Sequence, residues 1–399
     1  MTNYDFFWSI IAGLLVAFIG FLIKVGFEKY RSRQNFKSPN PFNNLPQIRE
    51  NKIRRIVGQI MTGQSSAIIG VFERERTKIL DALDDQEYGN KANRLIFSKL
   101  DISSLDANCD PEQFWKQALQ SLKIKIDIEK QRHFLLRWLR WLLRWNISPQ
   151  VVETYKKCQD NSFDNFYLKE LFKQLKENKR HLVLMIDRSD LLLQRKHLKR
   201  SDFFGNLREM ADGYLSSLNL VITLSMSLKQ FHQQNEELNP GGSPYFNFID
   251  ANQVTLGVLS ETEIDQWLQK SERNLIDEAR GFIKNAAGGH PYLLRVATYS
   301  WWNAYDEDEN NLIEKAEQNF HQDVRNLANE VLKSWSKKTC QAFLSILQKH
   351  NVSDFIEELY ELEEQGFIIK EDNVWQICPS IFSSLLAEKA MSNLRDNRV

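Results

Sequence analysis

A phosphate-binding frame whose key residues are replaced constrains this chain more than any other feature. Ser66-Ala67-Ile68-Ile69 is a strand-like run, and Gly70-Val71-Phe72-Glu73-Arg74-Glu75-Arg76-Thr77 follows it in the spacing G-x-x-x-x-G-K-[ST]. Gly70 and Thr77 fit the ends of the frame, but Glu75 stands at the second glycine and Arg76 at the lysine. The stretch from Lys78 to Leu83 reads as the helix that follows. Such a loop works by wrapping backbone N–H groups around a phosphate at a helix N-terminus. A carboxylate there repels the ligand, and a side chain crowds the close approach that glycine permits. The spacing therefore predicts a strand–loop–helix unit of phosphate-binding shape whose hydrolytic chemistry is lost.

The rest of the core reads as α/β. Apolar, β-leaning runs at Ser66–Ile69, Leu95–Ile102, His181–Ile186, Leu218–Leu224 and Gln253–Leu256 are separated by helical stretches. That order predicts a parallel sheet with helices on both faces. The third run ends in Asp187-Arg188. In a nucleotide hydrolase such a strand carries a Mg²⁺-linked aspartate, followed by the glutamate that polarises water. Asp187 is present, but a cation at Arg188 cannot act as a base. From about Ser260 onward the pattern is helical, with Ser260-Glu261-Thr262-Glu263 as a capping box. The short runs Phe367–Ile369 and Val374–Ile377, with Glu371-Asp372-Asn373 between them, predict a hairpin after helices, the pattern of a winged helix.

Composition narrows the partners. Lysine plus arginine equals aspartate plus glutamate at 52 each, so no global charge draws the chain to nucleic acid. The four cysteines form no C-x-x-C pair, which argues against a metal site and a disulfide framework. Phe6 to Ile23 is an uncharged apolar run, at the lower end of what spans a bilayer as a helix. Lys24, Lys29, Arg31 and Arg33 follow it, whereas only Asp5 precedes it. The positive-inside rule then predicts a single-pass anchor in the inner or plasma membrane, Met1 outside and the bulk cytoplasmic. A cleaved signal peptide is the rival reading, but the basic start and small-residue cleavage site are missing. The expected organisation is an anchor over 1–33, a Pro/Asn-rich linker over 34–47, a nucleotide-type domain over 48–257, a helical lid over 258–325 and a winged helix over 326–399.

The chain resembles the bacterial AAA-like branch of the STAND signal-transduction ATPases. The likeness rests on Asn40-Pro41-Phe42, on Gly63-Gln64-Ser65-Ser66-Ala67-Ile68-Ile69-Gly70, on Ile186-Asp187 and on Ser243-Pro244-Tyr245-Phe246-Asn247. It continues through Leu256-Gly257-Val258-Leu259-Ser260-Glu261 and Ala287-Gly288-Gly289-His290-Pro291-Tyr292-Leu293. These pieces span roughly residues 40 to 390. The resemblance implies a five-stranded P-loop domain, a lid, a winged helix and a nucleotide-gated switch that assembles on activation, with ATP or ADP and Mg²⁺ as its cofactor. It also implies that Gly289-His290-Pro291 lies against the adenine. Carried over residue by residue, a vestigial nucleotide site comprises Gly70, Arg76, Thr77, Asp187 and Pro291, with no catalytic residue and no dedicated metal site. Each has a plainer reading. Arg76 could pair with Glu73 and Glu75, Asp187 could cap the strand–loop junction, Thr77 could be a helix N-cap, and Pro291 could simply start a helix.

One segment stands apart. In His133 to Trp145, Arg137, Arg140 and Arg144 share one helical arc, Trp138, Trp141 and Trp145 the adjoining one, and leucines the opposite side. That pattern suits an interfacial membrane contact, and equally a helix packed on the core or on a partner protein. The helix before the hairpin, Asp354 to Glu364, is acidic and would repel nucleic-acid phosphates. The sequence thus predicts a membrane-anchored pseudo-ATPase serving as a sensor, scaffold or effector in a bacterial stress or defence response, with a protein partner or self-assembly. A divergent active ATPase and a membrane-perturbing effector gated by the core are the alternatives.

Overall fold

The computed structural model describes residues 45–84, 94–135, 147–212, 217–238, 240, 244–270, 275–307, 311–325 and 327–396. The expected membrane span and Trp138, Trp141, Trp145, Arg137, Arg140 and Arg144 lie outside these residues. Among the described residues no helix is long and apolar enough to cross a membrane.

Five strands form one parallel sheet: β1 (Ser66–Ile69), β2 (Leu95–Asp101), β3 (His181–Asp187), β4 (Leu218–Leu224) and β5 (Gln253–Thr255), in the order β2-β3-β4-β1-β5. The central strands are buried on both faces, which is why they read as unbroken apolar runs. In β3, Leu182, Leu184 and Ile186 join one core and Val183 and Met185 the other. The first core is closed by α4 (Pro111–Ala118), α5 (Gln120–Leu135), α6 (Pro149–Asp160), α7 (Asn165–Glu177) and α8 (Ser201–Asp212). α2 (Glu50–Met61) and α3 (Glu73–Asp84) cover the second. α9 (Leu228–Asn235) follows β4 at the carboxyl end of the sheet.

The remaining chain is α10 (Glu261–Gln269), α11 (Asp277–Ala287), α12 (Pro291–Glu307), α13 (Leu312–Val324), α14 (Leu327–Ser334), α15 (Lys337–Leu347), α16 (Ile356–Gln365), an antiparallel hairpin β6 (Ile368–Glu371) and β7 (Val374–Ile377), and α17 (Ile381–Asp396). The Ser260–Glu263 capping box forms as expected and opens α10. Asp372 and Asn373 both take positive φ, the geometry of a tight hairpin turn. All of these helices share a single apolar core with Val71 and Phe72 from the loop after β1. The boundary expected between 325 and 326 therefore falls inside one core.

The linker expected up to residue 47 ends earlier. The chain is already helical at α1 (Leu45–Ile48), where Leu45 and Ile48, one turn apart, are buried in that same core. Pro46 sits in the first turn of this helix, where proline is tolerated.

Glycine is required at the seam between sheet and C-terminal helices. Gly366 has φ +86 and closes α16; a Cβ there would collide with Val258. Gly257, at φ +32, faces the backbone carbonyl of Glu364 with no room for a side chain.

Candidate functional site

The loop after β1 is shorter than the motif frame predicts. Helix α3 starts at Glu73, so Arg76 and Thr77 sit inside it rather than at its entrance. The N–H groups of Glu75 and Arg76 already bond Phe72 O, and the N–H of Glu73 donates to the Glu330 carboxylate of α14 at 3.2 Å. Glutamates at positions 73 and 75 favour a helix start there, because carboxylates stabilise the positive N-terminal end. Gly70 follows β1 directly, and a Cβ on it would press on Leu256 at 3.2 Å.

Arg76 is 3% exposed and turns back onto this loop. Its Nη1 donates to Gly70 O, and to Val71 O at 3.0 Å. The loop thus presents carbonyl oxygens to a cation at the place where a phosphate loop presents N–H groups to an anion. Burial pulls the guanidinium's affinity for its proton down, opposed by Asp190, Asp187, Glu73 and Glu330. The pairing of Arg76 with Glu73 and Glu75 suggested by the sequence does not form; each glutamate takes a different arginine.

Glu75 pairs with Arg49, which precedes α2. Arg49 Nε and Nη2 reach Glu75 Oε1 at 3.2 and 3.0 Å, with Arg49 fully buried and Glu75 2% exposed. Arg49 Nη1 also donates to Val258 O at 3.1 Å, and Nη2 to Gly257 O. Burial pushes the Glu75 carboxyl up, against the pull of Arg49. Nearby Lys52 is pulled down to about 8, first by burial and then by Arg49.

Glu73 takes Arg188, at 3.0 Å from Nη1. The same guanidinium holds Asp101 at the end of β2, with Nε–Oδ1 at 3.0 Å. Arg188 itself sits in a left-handed conformation, φ 57. Partial burial pushes the Asp101 carboxyl up, but the bonds from Arg188 and Ser103 outweigh it and hold it below the usual carboxylate range.

Asp187 is 1% exposed, and two threonine hydroxyls satisfy it. Thr77 Oγ1 donates to Oδ2 and Thr223 Oγ1 to Oδ1, both at 2.7 Å. Thr77 is therefore not an N-cap; it bridges α3 to β3. Thr223 also accepts from the Arg188 N–H at 2.8 Å. Thr223→Val should destabilise the fold by about 1–2 kcal/mol, because it strands a buried carboxylate oxygen and an N–H. Urea unfolding checks this, and an unchanged midpoint would refute it.

Pro291 does start a helix, α12. Its neighbours close the site from above. Tyr292 stacks on Phe72 at 5.4 Å between centroids, and His290 meets Phe72 edge-on at 5.5 Å. His290 also packs on Phe367 and Phe382, and its Nε2 lies 2.8 Å from Gly366 O. Of the predicted residues, Gly70, Arg76, Thr77 and Asp187 come together, with Pro291 across the loop. His290 is marked by the Gly289-His290-Pro291 element, but sequence reasoning missed Arg49, Phe72, Asp101, Thr223 and Glu330 as members of this network. No local signal marks them, since their partners lie far away along the chain.

The AAA-like domain family matches residues 118–387. Among solved structures, a Walker-type ATPase of Pyrococcus abyssi shares the fold, with a TM-score of 0.56 and 14% identity over 85% of this chain and 95% of that one. A search of curated proteins finds no match. With the sheet order in place and the family match covering more than half of its length, the chain belongs to the AAA-like domain family.

Proposed function

We propose that this protein is a catalytically degenerate pseudo-ATPase of the STAND type, anchored in a membrane by residues 6–23 and ending in a winged helix. In this reading it works as a signalling sensor, scaffold or effector. The observation that carries the reading is Arg76, whose guanidinium lies on the carbonyls of Gly70 and Val71 and reverses the polarity of the loop. Glu330 adds a carboxylate at the helix start, on the Glu73 N–H. Arg188, at the position of a water-activating base, is held by Asp101 and Glu73. Thr77 and Asp187 are the pair that would hold Mg²⁺ beside a nucleotide, and here they bond each other. A triphosphate does not fit these residues as they stand, because it would meet the Glu330 carboxylate on the Glu73 N–H and the Gly70 and Val71 carbonyls where it needs donors.

The domains are instead held together by protein groups. Phe72, His290 and the Arg49–Glu75 pair join the sheet to the C-terminal helices. Self-assembly or a protein partner would then read out the arrangement of these parts. Calorimetry on the full chain tests the reading: ATP or ADP with Mg²⁺ is expected to give no saturable heat, and no phosphate release. Magnesium-dependent turnover that Asp187→Ala abolishes would overturn it and favour a divergent active ATPase.

A further inference from the structure

A cavity of about 510 Å³ opens at the amino end of the sheet, the end opposite the Gly70 loop and Asp187. It is bounded by the turn after α2, the first residues of β3 and β4, the end of α8 and the segment before β5. Its volume falls in the range of small-molecule sites. An open α/β sheet ordinarily binds its ligand at the carboxyl end, so this cavity is separate from the vestigial nucleotide site.

Two polar side chains in its wall are more than nine-tenths buried and have bonding capacity to spare. Asn219 is 2% exposed near the start of the central strand β4, and its side-chain amide makes no hydrogen bond with the described residues. Asparagine is a poor strand former, and an unsatisfied buried amide costs about 1–3 kcal/mol, so this residue asks for a partner in the cavity it lines. Ser65 is 4% exposed and accepts from the Leu220 N–H at 3.0 Å, which leaves its own O–H to donate. More accessible groups surround this pair. Asn252 Oδ1 takes Gln59 Nε2 at 3.4 Å, which leaves the Asn252 NH₂ to donate. Gln64 is exposed and can both give and accept. His181 is partly buried; burial, then Lys176 and Arg94, pulls its pKa down, so the ring is neutral at pH 7 and has one donor and one acceptor.

The wall selects its ligand by charge and by direction. Among the described residues no lysine or arginine lines it, and its one carboxylate, Asp212, is exposed to solvent, so the group that fills it carries no charge. The donors and acceptors come from separate elements rather than from one edge. A ligand that meets them must give and take hydrogen bonds in several directions, and hydroxyl groups do both. Phe248, in the same wall, offers a ring face to the C–H side of a saturated ring. We propose that this cavity binds a neutral, hydroxyl-rich ring of the sugar or cyclic-polyol type. Such a ligand would tie the turn after α2 to β4 and to the segment before β5. It would also supply a signal for the sensor reading, and the site stands whether or not the Gly70 loop takes a nucleotide.

The test is titration of the full chain, in micelles of a detergent without a sugar headgroup, with D-glucose, D-ribose and myo-inositol, read by saturation-transfer NMR. At least one is expected to bind saturably, and inorganic phosphate should not displace it. ATP is left out throughout, so this proposal and the loss of nucleotide binding fail independently. Asn219→Leu, close in volume but without the amide, should weaken binding by about tenfold, the loss of one buried hydrogen bond. Gln64→Ala, at an exposed position, is the second variant, with a smaller loss, should Asn219→Leu fail to fold. Glu153→Gln, exposed on α6, should change nothing. Absence of saturable binding by all three compounds, displacement by phosphate, or parental affinity in the folded cavity variants would overturn the proposal.

Discussion

Arg49→Ala is expected to cost about 3–5 kcal/mol of unfolding free energy at neutral pH, the usual result of stripping one partner from a buried ion pair. Arg49 is fully buried and contacts three separate parts of the chain: Glu75 on α3, Val258 O and Gly257 O after β5, and Glu263 on α10 at 3.9 Å. Removing it leaves the Glu75 carboxylate without its main counter-charge and two carbonyls without donors. Urea unfolding of the variant is the measurement. A loss under about 1 kcal/mol would mean that water or Lys52 takes over the role. Pairing Arg49→Met with Glu75→Leu should recover the part due to the stranded charge, since apolar replacement of a buried pair is often close to neutral.

The same variant carries a pH signature. Burial already pushes the Glu75 carboxyl up, and Arg49 is the largest pull in the other direction. Without Arg49 the folded-state carboxyl moves higher still. A group whose folded pKa lies above its unfolded value lends stability that is complete below the unfolded pKa and is lost as pH rises through the folded one. The deficit of Arg49→Ala relative to the parent should therefore be smaller at pH 5 than at pH 8. A deficit that grows toward acid would contradict the assignment of the effect to Glu75.

The sheet was legible in the sequence because its strands are continuous apolar runs bounded by polar turns. Ser66–Ile69, Leu218–Leu224 and Val374–Ile377 have the expected bounds, and the remaining core strands differ only at their ends. Local chemistry also explains the Ser260–Glu263 capping box and the Asp372-Asn373 turn. The start of α3 was hidden by the motif frame. Reading a loop through to Thr77 discounts the acidic first turn, which on its own marks a helix beginning at Glu73. The site network was illegible for a different reason. Arg49 meets Glu75 across 26 positions, Asp101 meets Arg188 across 87, and Thr77 meets Asp187 across 110. Those partners are chosen by the order β2-β3-β4-β1-β5, and no spacing along the chain encodes it.

His290 should make the fold acid-labile by about 3 kcal/mol between neutral pH and pH 4, the equivalent of a displacement of roughly two and a half pKa units. The ring is 2% exposed, enclosed by Phe72, Phe367 and Phe382, and Nε2–H donates to Gly366 O. Its pKa is lowered to about 4, first by burial and then by the charge of Arg49, and only the bond to Gly366 opposes this. A histidine whose folded pKa is depressed lends stability that is complete above the unfolded value near 6.5, and that stability is lost as pH falls toward the folded one. Urea midpoints measured from pH 7 to pH 4.5 should therefore fall, and His290→Gln, which keeps a donor for Gly366 O, should flatten the curve. Carboxylates such as Asp101 titrate in both proteins, so the difference between the two curves isolates His290. Parallel curves would mean that the imidazole protonates inside the fold without penalty. Since His290 opens α12 and its acceptor closes α16, its protonation would loosen the contact between the helical region and the hairpin before the sheet itself unfolds.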